Sequence, residues 1–171
     1  MALTTAQVSL MATANLASTL NAGNAVATVS STYATALGAS LAAGAGLADR
    51  AWWDRRTLAA SGSELIGFTT AQHDPFGVVF AVARIKVLVI SADPGNTNNV
   101  VVGGGSTTLA LFGGLTHTAP LRPGETLAWV TGTADAVGHV VTPSTADQLQ
   151  IGNGGAGTSV IYNILAIGVS V

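Results

Sequence analysis

The chain has 171 residues, a formal net charge of −2 and only 8% charged residues, against roughly 25% in an ordinary soluble domain. That length suits one domain, or one domain with an arm, and is enough to bury a proper core. The charge balance leaves no basic footprint for nucleic acid or an anionic membrane, and the absence of cysteine excludes disulfide and thiolate chemistry.

Apolar residues are abundant but never run long enough to cross a bilayer as a helix. The longest run, Val78 to Ile90, carries Arg84 and Lys86 and falls short of the roughly 20 residues required. No basic residue precedes Arg50, so the pattern of a secretory signal is missing. A surface this poor in charge is hard to keep soluble as a free monomer, and the expectation is that subunits cover one another.

In chain order, residues 1–48 contain no charged residue at all. Alternation from Leu3 to Leu10 predicts a strand. Ala34 to Ala43 (ATALGASLAA) predicts a short helix, because alanine and leucine favour one and Gly44 would stop it. Disordered segments usually carry net charge. The expectation is therefore an extended arm, with at most one short helix, that packs on neighbouring subunits.

The texture changes at Asp49-Arg50-Ala51-Trp52-Trp53-Asp54-Arg55-Arg56, which holds five of the chain's fourteen charged residues and two of its three tryptophans. Trp and Arg are enriched in interface hot spots, which makes Trp52, Trp53, Arg55 and Arg56 candidate interface residues. The alternative is a junction whose indoles cap one end of the core. Residues 1–57 are read as arm and junction, and residues 58–171 as the folded domain.

From Leu58 onward the pattern is β. Strands are expected at Ser63–Thr70, Val78–Ala92, Asn99–Val102, Thr107–Phe112, Thr118–Leu121, Thr126–Thr131, Gly138–Val141, Gln148–Ile151 and Ser159–Val169. Turn clusters separate them, among them Ala71-Gln72-His73-Asp74-Pro75, Asp93-Pro94-Gly95-Asn96 and Gly152-Asn153-Gly154-Gly155. Short strands at about ten-residue spacing argue an all-β sandwich, jelly-roll-like in outline, preceded by the extended arm. The stretch Val78–Gly104 reads as a hairpin-like pair. Within it, alternation sends Ile85, Val87 and Val89 inward and sets Arg84 and Lys86 on an outward, positively charged stripe, which adds both to the candidate interface.

Chemistry finds little footing. The clusters Gly103-Gly104-Gly105 and Gly152–Gly157 lack the following helix and the Lys-Ser/Thr of a phosphate loop, so tight turns are expected. His73, His117 and His139 lie far apart without metal-ligand spacing. Asp93, Asn96 and Asn98 lack the closing glutamate of a calcium loop. No Gly-x-Ser-x-Gly occurs, and nothing in the sequence pairs Glu64 with Glu125. No catalytic set, metal or cofactor is expected.

Several phrases appear together in one order: Ala48-Asp49-Arg50 through Arg55-Arg56-Thr57-Leu58-Ala59-Ala60; Phe76-Gly77 ahead of Ala83-Arg84-Ile85-Lys86-Val87-Leu88-Val89-Ile90; Asn96-Thr97-Asn98-Asn99-Val100 with Val102-Gly103-Gly104; Arg122-Pro123-Gly124; Ala146-Asp147-Gln148-Leu149; and Gly157-Thr158-Ser159-Val160-Ile161-Tyr162-Asn163-Ile164. That succession, over about residues 48–171, resembles a family of small tailed-bacteriophage virion proteins. The resemblance implies a non-enzymatic β-sandwich of the phage particle, made in the host cytoplasm. Its implied role is decoration or cement, bound as a homo-oligomer (a trimer is the first expectation) to the major capsid protein or neighbouring virion proteins. A collar, neck or tail component is the alternative. A receptor- or carbohydrate-binding module is another, which would need Trp129, Tyr162 and Phe112 as its aromatic platform.

Overall fold

The computed structural model describes residues 5–18, 25–39, 44–74 and 76–170. Every regular element among them is a strand. Two antiparallel sheets pack face to face as a β-sandwich, and a two-stranded ribbon precedes them. The ribbon consists of β1 (Thr5–Ser18) and β2 (Ala25–Ala39), paired antiparallel from end to end. A short strand, β3 (Leu47–Ala48), pairs in parallel with the last residues of β2.

The first sheet contains β4 (Arg50–Leu58), β6 (Arg84–Ala92), β10 (His139–Val140) and β12 (Val160–Val169) in the order β10-β6-β12-β4, with β9 (Thr126–Val130) also on β6. The second contains β5 (Ser63–Gly67), β7 (Val100–Gly103), β8 (Thr118–Leu121) and β11 (Gln148–Asn153) in the order β5-β11-β7-β8. Alternation delivers one face of each sheet to a common core. Leu88, Ile90, Tyr162 and Ile164 come from the first sheet, and Ile66, Val102, Leu149 and Ile151 from the second. Each such side chain contributes roughly 1.5–3 kcal/mol by leaving water. Phe80 closes one side, its ring 6.2 Å from Trp52 and 6.4 Å from Phe68.

Several expectations fail here. Residues 34–39 of the expected helix are strand, with residues 40–43 outside the described residues; pairing along all of β1 outweighs the modest helix preference of alanine and leucine. Leu3 of the expected first strand and Pro75 of the expected turn also lie outside the described residues. Thr107–Phe112 forms no strand and keeps a single bridge, Thr108 to Gln148.

Val78–Gly104 is not a hairpin either, because β6 and β7 belong to different sheets. Asp93–Asn99 carries the chain across the core, held by Asp93 N–H to the Ile161 carbonyl and by Asn96, whose side chain bonds both polar backbone groups of Ile161. Residues 78–83 precede the ladder and cross between sheets, with Val82 N–H on the Phe68 carbonyl and Ala83 N–H on the Val169 carbonyl.

The face assignment on β6 fails as well. Gly168 pairs with Ile85 but Ile167 pairs with Val87, so Lys86 is an extra residue in the ladder. Such a bulge breaks the two-residue period. Ile85 faces the core together with Leu88, Ile90 and Ala92, whereas Val87 and Val89 pack on the opposite face. Lys86 is only 1% exposed; it stands on no outward stripe.

Candidate functional site

Of the six residues singled out from sequence, four lie on β4 and two on β6, the strands flanking β12. The fold splits them between two environments. On β4 the alternation is strict: Arg50, Trp52, Asp54, Arg56 and Leu58 share the inner side, and Ala51, Trp53, Arg55 and Thr57 the outer. The stretch read as a junction is thus a full strand of the sandwich.

The inner set builds a polar knot between the sheets. Arg56 donates through Nη1 to Glu64 Oε2 at 2.7 Å, through Nη2 to Gln72 Oε1 at 2.7 Å and through Nε to Asp54 Oδ2 at 3.0 Å. Its guanidinium lies 5.5 Å from the centre of the Trp52 ring. The Tyr162 hydroxyl donates to Glu64 Oε1 at 2.7 Å. Burial works against the charge on Arg56, but the Glu64 hydrogen bond and the neighbouring negative charges outweigh it, and its pKa rises. Burial, then the bond to Glu64, pushes the Tyr162 phenol well above its usual range. Each partner is engaged with another, so the knot ties β4, β5 and β12 together rather than presenting a free acid or base. The spacing of Glu64 and Gln72 from Arg56 carries no motif, and only tertiary pairing brings them together.

Lys86 is packed beneath the β9–β10 connection. Its Nζ donates to the Asp135 carbonyl at 2.7 Å. Burial lowers its pKa, opposed by the Asp135 charge, with Arg84 adding to the lowering. Arg84 is half-buried and has partners of its own. Another buried charge escaped the sequence reading: Asp49, 3% exposed, takes the Ser170 N–H and hydroxyl at 2.8 and 2.6 Å and Arg50 Nη1 at 2.9 Å. It pins β12 to the root of the ribbon.

The outer set opens onto a different surface. Register aligns Trp53, Leu165, Val89 and Ala128 in one row across four strands, and Ala51, Ile167, Val87 and Val130 in the next. A third row, Arg55, Asn163, Ser91 and Thr126, is polar. Arg55 there donates to Asp93 Oδ2 at 2.7 Å. Ala48 packs over Val87 and Ile167 and buries them, while Trp53 remains 57% exposed. A shallow groove of about 290 Å³ runs along Trp53, Val89 and Leu165.

The remaining features are structural. Phe112 and Trp129 pack on each other at 5.3 Å against the core, and Tyr162 is fully buried, so these three rings form no open platform. Asn153 and Asn98 lace the glycine turn Gly152–Gly157 to Ala59 and Thr158. His117 bonds the Phe112 carbonyl at 2.9 Å. No cluster of three His, Cys, Asp or Glu with metal-binding geometry occurs among the described residues. Comparison with protein-family models, curated proteins and solved structures finds no match to this chain.

Proposed function

We propose that the protein is a structural subunit of a symmetric assembly, and that the assembly is a tailed-phage particle whose capsid it decorates or cements. The observation that carries the assembly reading is the pairing of a charge-free β1–β2 ribbon with an apolar outer sheet face on one chain. A two-stranded ribbon is at best marginal alone in water, and a sandwich face in water ordinarily alternates to polar residues. Both features make physical sense when subunits cover them. A non-enzymatic role fits the charged network of the sandwich, where Arg56, Glu64, Asp49 and Lys86 hold the fold's own elements. The phage setting rests on the succession of phrases between residues 48 and 171.

The test is imaging of intact particles made from the genome that encodes the chain. Copies by the hundred on the shell support decoration. Six or twelve copies at a vertex place the protein in a collar, neck or tail, and a particle without it ends the virion reading.

A further inference from the structure

The apolar rows on the outer face of the first sheet and the β1–β2 ribbon are two charge-free surfaces of this chain. β3 pairs in parallel with Gly38 and Ala39 at the end of β2, and the chain then runs on into β4. In this parallel pair the body of β2 lies behind the root, while the chain leaves β3 forward into β4. Fourteen paired residues in β1 make a ribbon about 45 Å long.

We propose that the row of Trp53, Leu165, Val89 and Ala128 receives the β1–β2 ribbon of a second copy of this chain, joining subunits head to tail. Three observations choose this occupant. First, where the apolar face is already covered, the cover is Ala48 at the ribbon's own root, so the proposed contact continues a packing already present. Second, the β1–β2 register sets Ala6 opposite Leu37, Leu10 opposite Tyr33 and Ala14 opposite Val29, so apolar pairs recur at every fourth position along the ribbon. Third, charge agrees: residues 1–48 carry none, and neither do the two apolar rows. Ribbon and face can dock without stripping water from a single ion. The contact is heterologous, so it closes into a ring when the rotation between neighbours allows.

This inference rests on the assembly reading above only for the premise that copies meet, and complementation between full-length variants tests it. Trp53→Glu spoils the face and leaves the ribbon intact; Leu10→Glu does the reverse. Sedimentation velocity and native mass spectrometry should show an oligomer for the unaltered chain and monomers for each variant. Affinity in each variant should fall at least about tenfold. An equimolar mixture of the two should recover a one-to-one heterodimer, because each holds the half the other lacks. Circular dichroism verifies folding, and Ala128→Glu, on an exposed residue of the same row, replaces Trp53→Glu if that variant is unfolded. An oligomer indifferent to both substitutions, or a mixture that stays monomeric, would overturn the docking mode while leaving the assembly reading in place. An unaltered chain that is monomeric at high concentration and absent from particles would remove both.

Discussion

Replacing Arg56 with methionine tests whether the polar knot holds the two sheets together. Methionine retains the apolar stem beside Trp52 but withdraws three donated hydrogen bonds. Gln72 is only 7% exposed, and leaving its oxygen without a donor costs about 1–2 kcal/mol. Glu64, with 23% of its side chain exposed, keeps the Tyr162 hydroxyl and recovers some water, so its lost ion pair adds only about 1 kcal/mol. Asp54 is 43% exposed and resolvates at little cost. Loss of the guanidinium over Trp52 adds about 0.5–1 kcal/mol. The expected destabilisation is thus about 3 kcal/mol, with a Tm fall of about 6–12 °C for a chain of this size. Denaturant unfolding and calorimetry measure it, and a double-mutant cycle with Glu64→Gln should return a coupling of about 1–2 kcal/mol. A total loss under 1 kcal/mol with no coupling would refute the reasoning, since the knot would then be no more than a solvated surface cluster.

Other perturbations follow from the same geometry. The Tyr162 phenol is raised in the folded state, so its contribution is complete below the unfolded value of about 10 and is lost as pH rises beyond it. Tyr162→Phe should therefore show a shallower alkaline loss of stability than the parent and cost about 1 kcal/mol at neutral pH; identical alkaline limbs would contradict this. Lys86→Met removes a buried charge together with its bond to the Asp135 carbonyl and should change stability by less than about 1 kcal/mol, whereas a loss above about 2 kcal/mol would show that the bond anchors the β9–β10 connection. At Gly138, where φ is +65° and a Cβ would stand 2.5 Å from the Ile85 carbonyl oxygen, alanine should cost about 2–4 kcal/mol. Gly132→Ala, with nothing within 4 Å of the added Cβ, is the matched control and should be neutral.

The all-β class, the turn clusters and most strands from Ser63 onward were legible because period-two alternation and Gly/Pro/Asn punctuation are local signals. Thr118–Leu121, for example, is a strand with the same bounds in both readings. Partnership was not legible. Nothing local says that β6 bonds β12 and β9 rather than β7, since that choice is made by residues far apart in the chain, such as Tyr162 opposite Ala92 and Trp129 opposite Leu88. Lys86 shows the limit most clearly. Alternation gives it the outside, but one extra residue in the β6 ladder moves it beneath a connection and flips Val87 and Val89 to the other face. Strict alternation on β4 was hidden by its charges, which suggested a surface junction because Arg56 and Asp54 meet their partners only in the folded sandwich. Of the candidate interface residues on β4, Trp53 and Arg55 reach the outer face, while Trp52 and Arg56 turn inward.

Strand β12 lies between β4 and β6 and bonds to both, yet it is made after every other strand described. A ribosome therefore holds the first sheet without its middle strand while most of the chain is already outside. During that interval Trp52, Leu88 and Ile90 lack their central neighbour, and the edges of β4 and β6 have open hydrogen-bonding groups. Contacts of such long sequence separation fold slowly and leave strand edges exposed to strangers. The charges of Asp54, Arg55 and Arg56 along β4 are well placed to keep that waiting edge from pairing with another chain. Part of the charge that this sequence does keep thus sits on a strand whose edge would otherwise be bare until β12 is in place.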